Sequence, residues 1–326
     1  MLTITLKKIS ETLGISISTV SRALKDHPDI SEKTKTRVKE LANTLDYEPN
    51  VNAVNLRTSK NNLFGIIVPS ISNFFYDSFI SAVEEDCRKS NYALMILQSG
   101  DDVHIENDNI KLFRQSRICG LFVCISKGTK EFEPYLKLKA LDIPVIFFDK
   151  VPDIDHCNKV CVADVSSATI AANAINKKNK QHVLAIFGDT ELSITKKRLA
   201  AFTSTLNKDT KLNIQHAGST AEAETIANEH LASKPDTVFC MSDEILIGAL
   251  KAIQKANLII PKNISVISIS NGFIPTLYYP QISYVETSGY KLGKLAFSSM
   301  MACMAGSTFT QDLTIESILV EGGSLI

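Results

Sequence analysis

Apolar residues recur at helical spacing through the first 45 positions, and then the period changes. Leu6, Ile9 and Leu13 fall on one face of a short helix that Thr5 can cap. Gly14 follows, a residue that reaches left-handed backbone angles at no steric cost, and it predicts a turn. Ser16 is placed to cap a second helix with Val20, Ala23 and Leu24 facing inward and Ile17, Ser18 and Arg22 facing outward. A third helix opens at Ile30 and Ser31, with Thr34, Val38, Leu41, Ala42 and Leu45 on its apolar face. The pattern suits a helix-turn-helix whose second helix enters a DNA major groove. A plain three-helix bundle would show the same apolar spacing. Pro49 disfavours helix at the residue before it, so the third helix should end near Asp46. Asn50 can cap one more helix through Ala53, Leu56 and Arg57; a helix this short is marginal in water until something packs on it. The polar run Ser59, Lys60, Asn61 and Asn62 marks a domain boundary, with a helix-turn-helix head over residues 1–60, its hinge segment near 50–57, and a second domain over 61–326.

Beyond the boundary, apolar runs at 63–68, 93–97, 119–125, 145–148 and 160–162 read as buried parallel strands. Helical stretches at 74–89, 105–115 and 134–141 separate them. The series restarts with strands at 183–187, 212–216, 237–241 and 266–269, with helices near 194–206, 221–232 and 244–256 between them and a last helix near 288–304. Alternation of this kind implies right-handed crossovers and doubly wound sheets, here two Rossmann-like lobes in an α/β domain. No apolar heptad tail follows, so a coiled-coil tetramer is not expected.

Composition narrows the function classes. The chain has 326 residues, 44% of them apolar and none of them Trp, ample for a large core. Thirty-five basic and 35 acidic residues cancel, yet residues 1–60 carry a net charge of +3 and the remainder −3. A mildly basic head on a neutral body is compatible with nucleic-acid binding. Seven Cys without a CxxC pair point to idle thiols in a reducing cytosol rather than disulfides or a metal site. The N-terminus lacks a signal-peptide core and no run approaches the ~18 apolar residues of a membrane span. The expectation is a soluble cytoplasmic protein with no membrane partner. GxSxG, HExxH and Walker patterns are absent and the six His are dispersed, so no enzyme activity, cofactor or metal is expected.

Within the head, Arg22 can donate two hydrogen bonds to guanine O6 and N7, the commonest specific major-groove contact. Ile17 can meet a thymine methyl and Ser18 can make a tolerant hydrogen bond. Ser16, Thr19, Ser21 and Asn50 suit phosphate contacts, which position without specifying, although capping alone explains hydroxyls such as Ser16. One head buries too little surface for a specific site, so a homodimer on a palindromic duplex is expected.

The wording of the stretch 9–24, followed by Ile30, Ser31 and Glu32, then Tyr47, Glu48, Pro49 and Asn50, then Ala53, Leu56, Arg57 and Thr58, resembles the LacI/GalR family of bacterial transcription regulators. The likeness continues through residues 64–75 and runs more loosely to the C-terminus. It implies a periplasmic-binding-protein fold with a ligand cleft between lobes, and a hinge helix that folds on DNA and wedges Leu56 into the minor groove, with Ala53 beside it. It also implies cleft contacts from Phe74 and Phe75, Asp149, Arg198, Ser242 and Asp243. Ser270 stands where the family usually has a sugar-gripping aspartate.

The expected function is a sequence-specific regulator of LacI/GalR type, a repressor of operator DNA, controlled by a carbohydrate-derived effector. With position 270 lacking its acid, and Lys196, Lys197 and Arg198 carrying positive charge, a uronate or sugar phosphate is expected over a neutral hexose, its ring resting on Phe74 and Phe75. The alternative is a regulator of the same fold that answers to a protein partner.

Overall fold

The computed structural model describes residues 5–47 and 61–326. The chain divides into two compact units, Met1–Lys60 and Asn61–Ile326. The hinge segment, with Asn50, Ala53 and Leu56, lies outside the described residues.

In the first unit, helices α1 (Leu6–Leu13), α2 (Ile17–Leu24) and α3 (Glu32–Thr44) begin at Thr5, Ser16 and Ser31. Each cap hydroxyl accepts a first-turn backbone N–H, from Lys8, Thr19 and Thr34 respectively. Gly14 closes α1 at φ 66°, where a side chain would be strained. Ile9, Val20, Ala23, Val38 and Ala42 form a small buried core, rimmed by Leu6, Leu13, Leu24, Leu41 and Leu45.

The second unit holds two lobes. In the first, strands β1 (Leu63–Val68), β2 (Ala93–Gln98), β3 (Gly120–Val123), β4 (Val145–Phe148), β5 (Asn158–Val162) and β11 (Asp312–Ile315) form a parallel sheet in the order β11-β5-β4-β3-β1-β2. Its first three helices are α4 (Phe74–Lys89), α5 (Val103–Gln115) and α6 (Glu133–Lys139). In the second, β6 (His182–Phe187), β7 (Lys211–His216), β8 (Thr237–Cys240), β9 (Ser265–Ser270), β10 (Ser283–Glu286) and β12 (Ile318–Val320) are ordered β12-β10-β9-β8-β6-β7, with only β12 antiparallel to its neighbour. Helices α7 (Asp164–Lys177), α8 (Ser193–Thr205), α9 (Thr220–Leu231) and α10 (Asp243–Lys255) belong to this lobe, which also has the single turn α11 (Phe273–Thr276).

The last helix, α12 (Gly289–Met304), follows β10 of the second lobe but packs on α4 of the first. Glycine makes this approach feasible: a Cβ at Gly289 would stand 2.2 Å from the Phe75 carbonyl oxygen, and one at Gly293 2.6 Å from that of Phe79. The chain thus crosses between lobes after β5, after β10 and again between β11 and β12.

The expected strand–helix alternation is present, with five additions, one of them the single turn α11. The other four, helix α7, the edge strands β11 and β12, and β10, were likewise not in the sequence pattern. Helix α7 buries Ser167, Ala168, Ala171, Ala172, Ala174 and Ile175 on more than one side, and small residues buried around a helix leave little amphipathic contrast. Both sheets direct strand carboxyl ends toward a common cleft, the edge at which open α/β sheets bind ligands.

Candidate nucleic-acid interface and ligand cleft

On the head, α2 turns Val20 and Ala23 into the core and leaves the opposite face to solvent. Ile17 is 47% exposed, Ser18 is exposed, and the Arg22 side chain is 59% exposed. Asp29 is the acid beside Arg22, 4.0 Å from Nη1, and it is shared with His27 Nδ1 at 3.4 Å. At that range it does not fix the guanidinium fork. Ser16 both caps α2 and faces outward, its Oγ lying 2.7 Å from Ser18 Oγ and 2.8 Å from Thr19 Oγ1. Thr19 and Ser21 are half-buried on the flank of the helix.

The cleft between the lobes has a volume of about 660 Å³, within the size range of small-molecule sites. Phe75, Asp149, Arg198, Ser242, Asp243 and Ser270 all line it. Phe74 does not: it leaves the cleft to pack on Phe273, with ring centroids 5.4 Å apart. Successive residues of a helix point about 100° apart, so the two neighbours cannot share one ligand face.

Asp149 ends β4 in the left-handed region at φ 57° and accepts a 2.8 Å hydrogen bond from Tyr76 Oη. Burial, with Asp149 beside it, pushes the Tyr76 hydroxyl well above its ordinary range, so it remains a donor. Arg198 is buried, and its guanidinium is already engaged within the protein. Nε donates to Asp164 Oδ1 at 2.9 Å and Nη1 to the Met241 carbonyl at 3.1 Å. Burial raises the Asp164 carboxyl, an effect the Arg198 charge opposes. Lys196 and Lys197 are exposed on α8 and do not line the cleft, so the positive cluster expected there is reduced to Arg198.

Position 270 differs from expectation in a second way. Ser270 Oγ donates to Asp243 Oδ1 and accepts from Gly272 N at 2.9 Å, so this hydroxyl is committed inside the second lobe. Asp243, at the start of α10, also accepts the Asn271 N–H at 3.0 Å. A carboxylate therefore still stands beside position 270, supplied by a neighbouring element. Burial pushes Asp243 up to about 6 despite those two hydrogen bonds. Ser242 caps α10, its Oγ accepting the Ile245 N–H at 3.4 Å.

Other lining residues were not anticipated. Lys127 of the first lobe pairs with Asp189 of the second across the cleft, and Lys150 pairs with Asp101 at 2.8 Å. Asn73 Nδ2 donates to Glu244 Oε1 at 2.5 Å, and Asn271 Nδ2 reaches the Phe74 carbonyl at 3.3 Å while its Oδ1 accepts Gly289 N–H. His216 Nδ1 lies 2.8 Å from the Gly188 carbonyl and must carry the proton there. The available signal was positional: Asp101, Lys127, Lys150 and Asp189 each lie within a few residues of a strand's carboxyl end. Among the described residues, no three His, Cys, Asp or Glu side chains are grouped to hold a metal ion, and no helix is long and apolar enough to cross a membrane.

Residues 61–320 match the family model for periplasmic binding proteins and the sugar binding domain of the LacI family, and residues 5–50 match that for bacterial regulatory proteins of the lacI family. The transcriptional repressor PurR of Vibrio atlanticus is 23% identical over 304 residues, 91% of each chain. The transcriptional regulator RegA of Clostridium acetobutylicum is 25% identical over 309 residues, again 91% of each. The solved structure of the lac repressor dimer bound to operator and the anti-inducer ONPF has the same fold, with a TM-score of 0.88 at 18% identity over 99% of both chains. The fold is thus the expected one, a helix-turn-helix head with a two-lobed periplasmic-binding-protein-like domain.

Proposed function

The chain belongs to the LacI family of bacterial regulatory proteins, which are DNA-binding transcription regulators, and on that premise we propose a homodimeric repressor whose operator affinity is set by a small polyhydroxylated effector in the cleft. The head over residues 1–60 is assigned to DNA and the domain over 61–326 to effector binding and dimerisation. Arg22, Ile17 and Ser18 read base edges, because they are the exposed side chains of α2 opposite its buried face. Ser16, Thr19 and Ser21 are assigned to phosphates, and Asn50, Ala53 and Leu56 to the hinge contacts that the family likeness implies.

One observation carries the effector half of the proposal: a cleft of ligand size at the strand carboxyl ends, lined from both lobes by hydrogen-bonding side chains and by Phe75. It favours a small molecule over control by a protein partner, which would not require such a cleft. Two features argue against the acidic effectors considered from sequence. Lys196 and Lys197 stand outside the cleft, and Asp243 occupies the region left by the acid missing at position 270.

The test has two parts. Operator fragments selected from random duplex by the full-length protein should be palindromic and bind with two heads per duplex. Calorimetry against a carbohydrate panel should then find a ligand that changes that affinity. Selection yielding no sequence preference would refute the DNA assignment, and a ligand that binds without changing operator affinity would refute the control.

A further inference from the structure

The cleft lining is unbalanced in charge. Its carboxylates are Asp101, Asp149, Asp189, Glu222, Asp243 and Glu244, against the cations Lys127, Lys150 and Arg198. The cations are all committed: Lys127 to Asp189, Lys150 to Asp101, and Arg198 to Asp164, which does not line the cleft. Asp149, Glu222, Asp243 and Glu244 remain; Asp149 also lies in the field of its neighbour Lys150, while among the described residues the hydrogen bonds to all four carboxylates come from neutral donors. Those donors are Tyr76 Oη and the Cys124 thiol for Asp149, the Gly218 N–H for Glu222, Ser270 Oγ and the Asn271 N–H for Asp243, and Asn73 Nδ2 for Glu244.

A second, independent feature points to an oxygen-bearing ligand. The Arg198 side chain is only 6% exposed and lines the cleft, and its Nε and Nη1 are engaged. Nη2 has no protein partner among the described residues. That edge of the guanidinium is open to the cleft, where a ligand oxygen can accept from it.

Resting on the cleft as the effector site, we propose that the effector is an amine-bearing polyol of the amino-sugar class, bound as its ammonium form. A hydroxyl or ring oxygen accepts from Arg198 Nη2, and the ring's apolar face meets Phe75. The ammonium is held in the field of Asp243 and Glu244, which adjoin at the start of α10, with Glu222 on the neighbouring α9. A neutral sugar satisfies individual lone pairs but leaves the surplus charge in place. A uronate or sugar phosphate adds to it. Only a cation relieves mutual repulsion among carboxylates in a partly desolvated cleft, where charges are weakly screened.

The test uses the full-length protein and matched sets of four sugars. Each of glucose, galactose and mannose is titrated beside its 2-amino derivative, its N-acetylated amine and its uronic acid, by calorimetry at pH 7 in low and high salt. The expected result is an amino sugar binding at least tenfold more tightly than its neutral parent and its N-acetyl form, with the advantage shrinking as salt rises. Asp243→Asn can keep its oxygen as acceptor for the Asn271 N–H and turn its amide NH2 toward Ser270 Oγ, which can accept, and it should abolish most of that advantage while changing neutral-sugar affinity less. Its thermal unfolding serves as the check on folding. A neutral sugar or a uronate binding as tightly as the amine would overturn the amino-sugar proposal and leave the effector cleft standing. Failure of every member to bind would overturn both the proposal and the cleft assignment.

Discussion

Arg198→Ala is the variant most easily misread. Loss of effector binding in it would ordinarily locate the ligand, but the guanidinium also supports the second lobe. Its removal deletes the 2.9 Å bond to Asp164 and the 3.1 Å bond to the Met241 carbonyl. It also leaves Asp164, whose side chain is 9% exposed, as a buried charge without its partner. Breaking a buried pair from one side costs about 3–5 kcal/mol. For a domain of this size that corresponds to a fall in melting temperature of roughly 6–20 °C. The loss should depend on pH with a definite sign. Burial raises Asp164 in the folded state, and without Arg198 the rise is larger. A carboxyl raised on folding binds more protons in the native than in the unfolded state, so stability falls as pH rises through that interval. The variant should therefore be closest to wild type at the acid end of the range, where more of Asp164 is protonated, and furthest from it at the alkaline end. Asp164→Asn placed on Arg198→Ala should restore much of the lost stability by removing the orphaned charge. Thermal unfolding of the four proteins of this cycle across pH 4.5–8 is the assay. A double variant no more stable than Arg198→Ala, or a loss that does not change with pH, would refute the buried-charge account.

Arg22→Ala should weaken operator binding by about 1–3 kcal/mol and flatten preference at one base pair per half-site, with melting temperature unchanged because Asp29 lies only at 4.0 Å; equal loss on random duplex would mark a phosphate contact instead. Ala53→Gly and Leu56→Ala should each weaken operator affinity, the glycine by roughly 1 kcal/mol per helix, with calorimetry showing unchanged effector affinity. Gly248→Ala should destabilise the second lobe by about 1–3 kcal/mol through overpacking, since its Cβ would stand 2.4 Å from the Thr220 carbonyl oxygen, and urea unfolding will measure it. Asp243 is raised to about 6 by burial, so wild type should lose stability relative to Asp243→Asn as pH rises from 4 to 7, and a gap between their melting curves that stays constant with pH would contradict this.

What the amino-acid sequence by itself determined was local. Thr5, Ser16 and Ser31 each cap a helix through an N–H three residues on, and Gly14 turns the chain at a single φ, so the head was legible from spacing alone. Most of the two-lobed alternation was legible as well, because strands buried on both faces are continuous apolar runs whatever packs against them. The tertiary structure decided the rest. Helix α7 escaped notice because its buried alanines face several neighbours at once. Phe74 and Phe75 are adjacent in sequence, yet one meets Phe273 and the other the cleft, since a helix turns by a fixed angle per residue. The charge of the cleft was misread for the same reason. Asp243 reaches Ser270 across 27 positions, Arg198 turns to Asp164 across 34, and Lys127 meets Asp189 across 62. Pairs so far apart leave no mark on local periodicity, and whether a cation is free to hold a ligand depends on which carboxylate the folded chain has placed beside it.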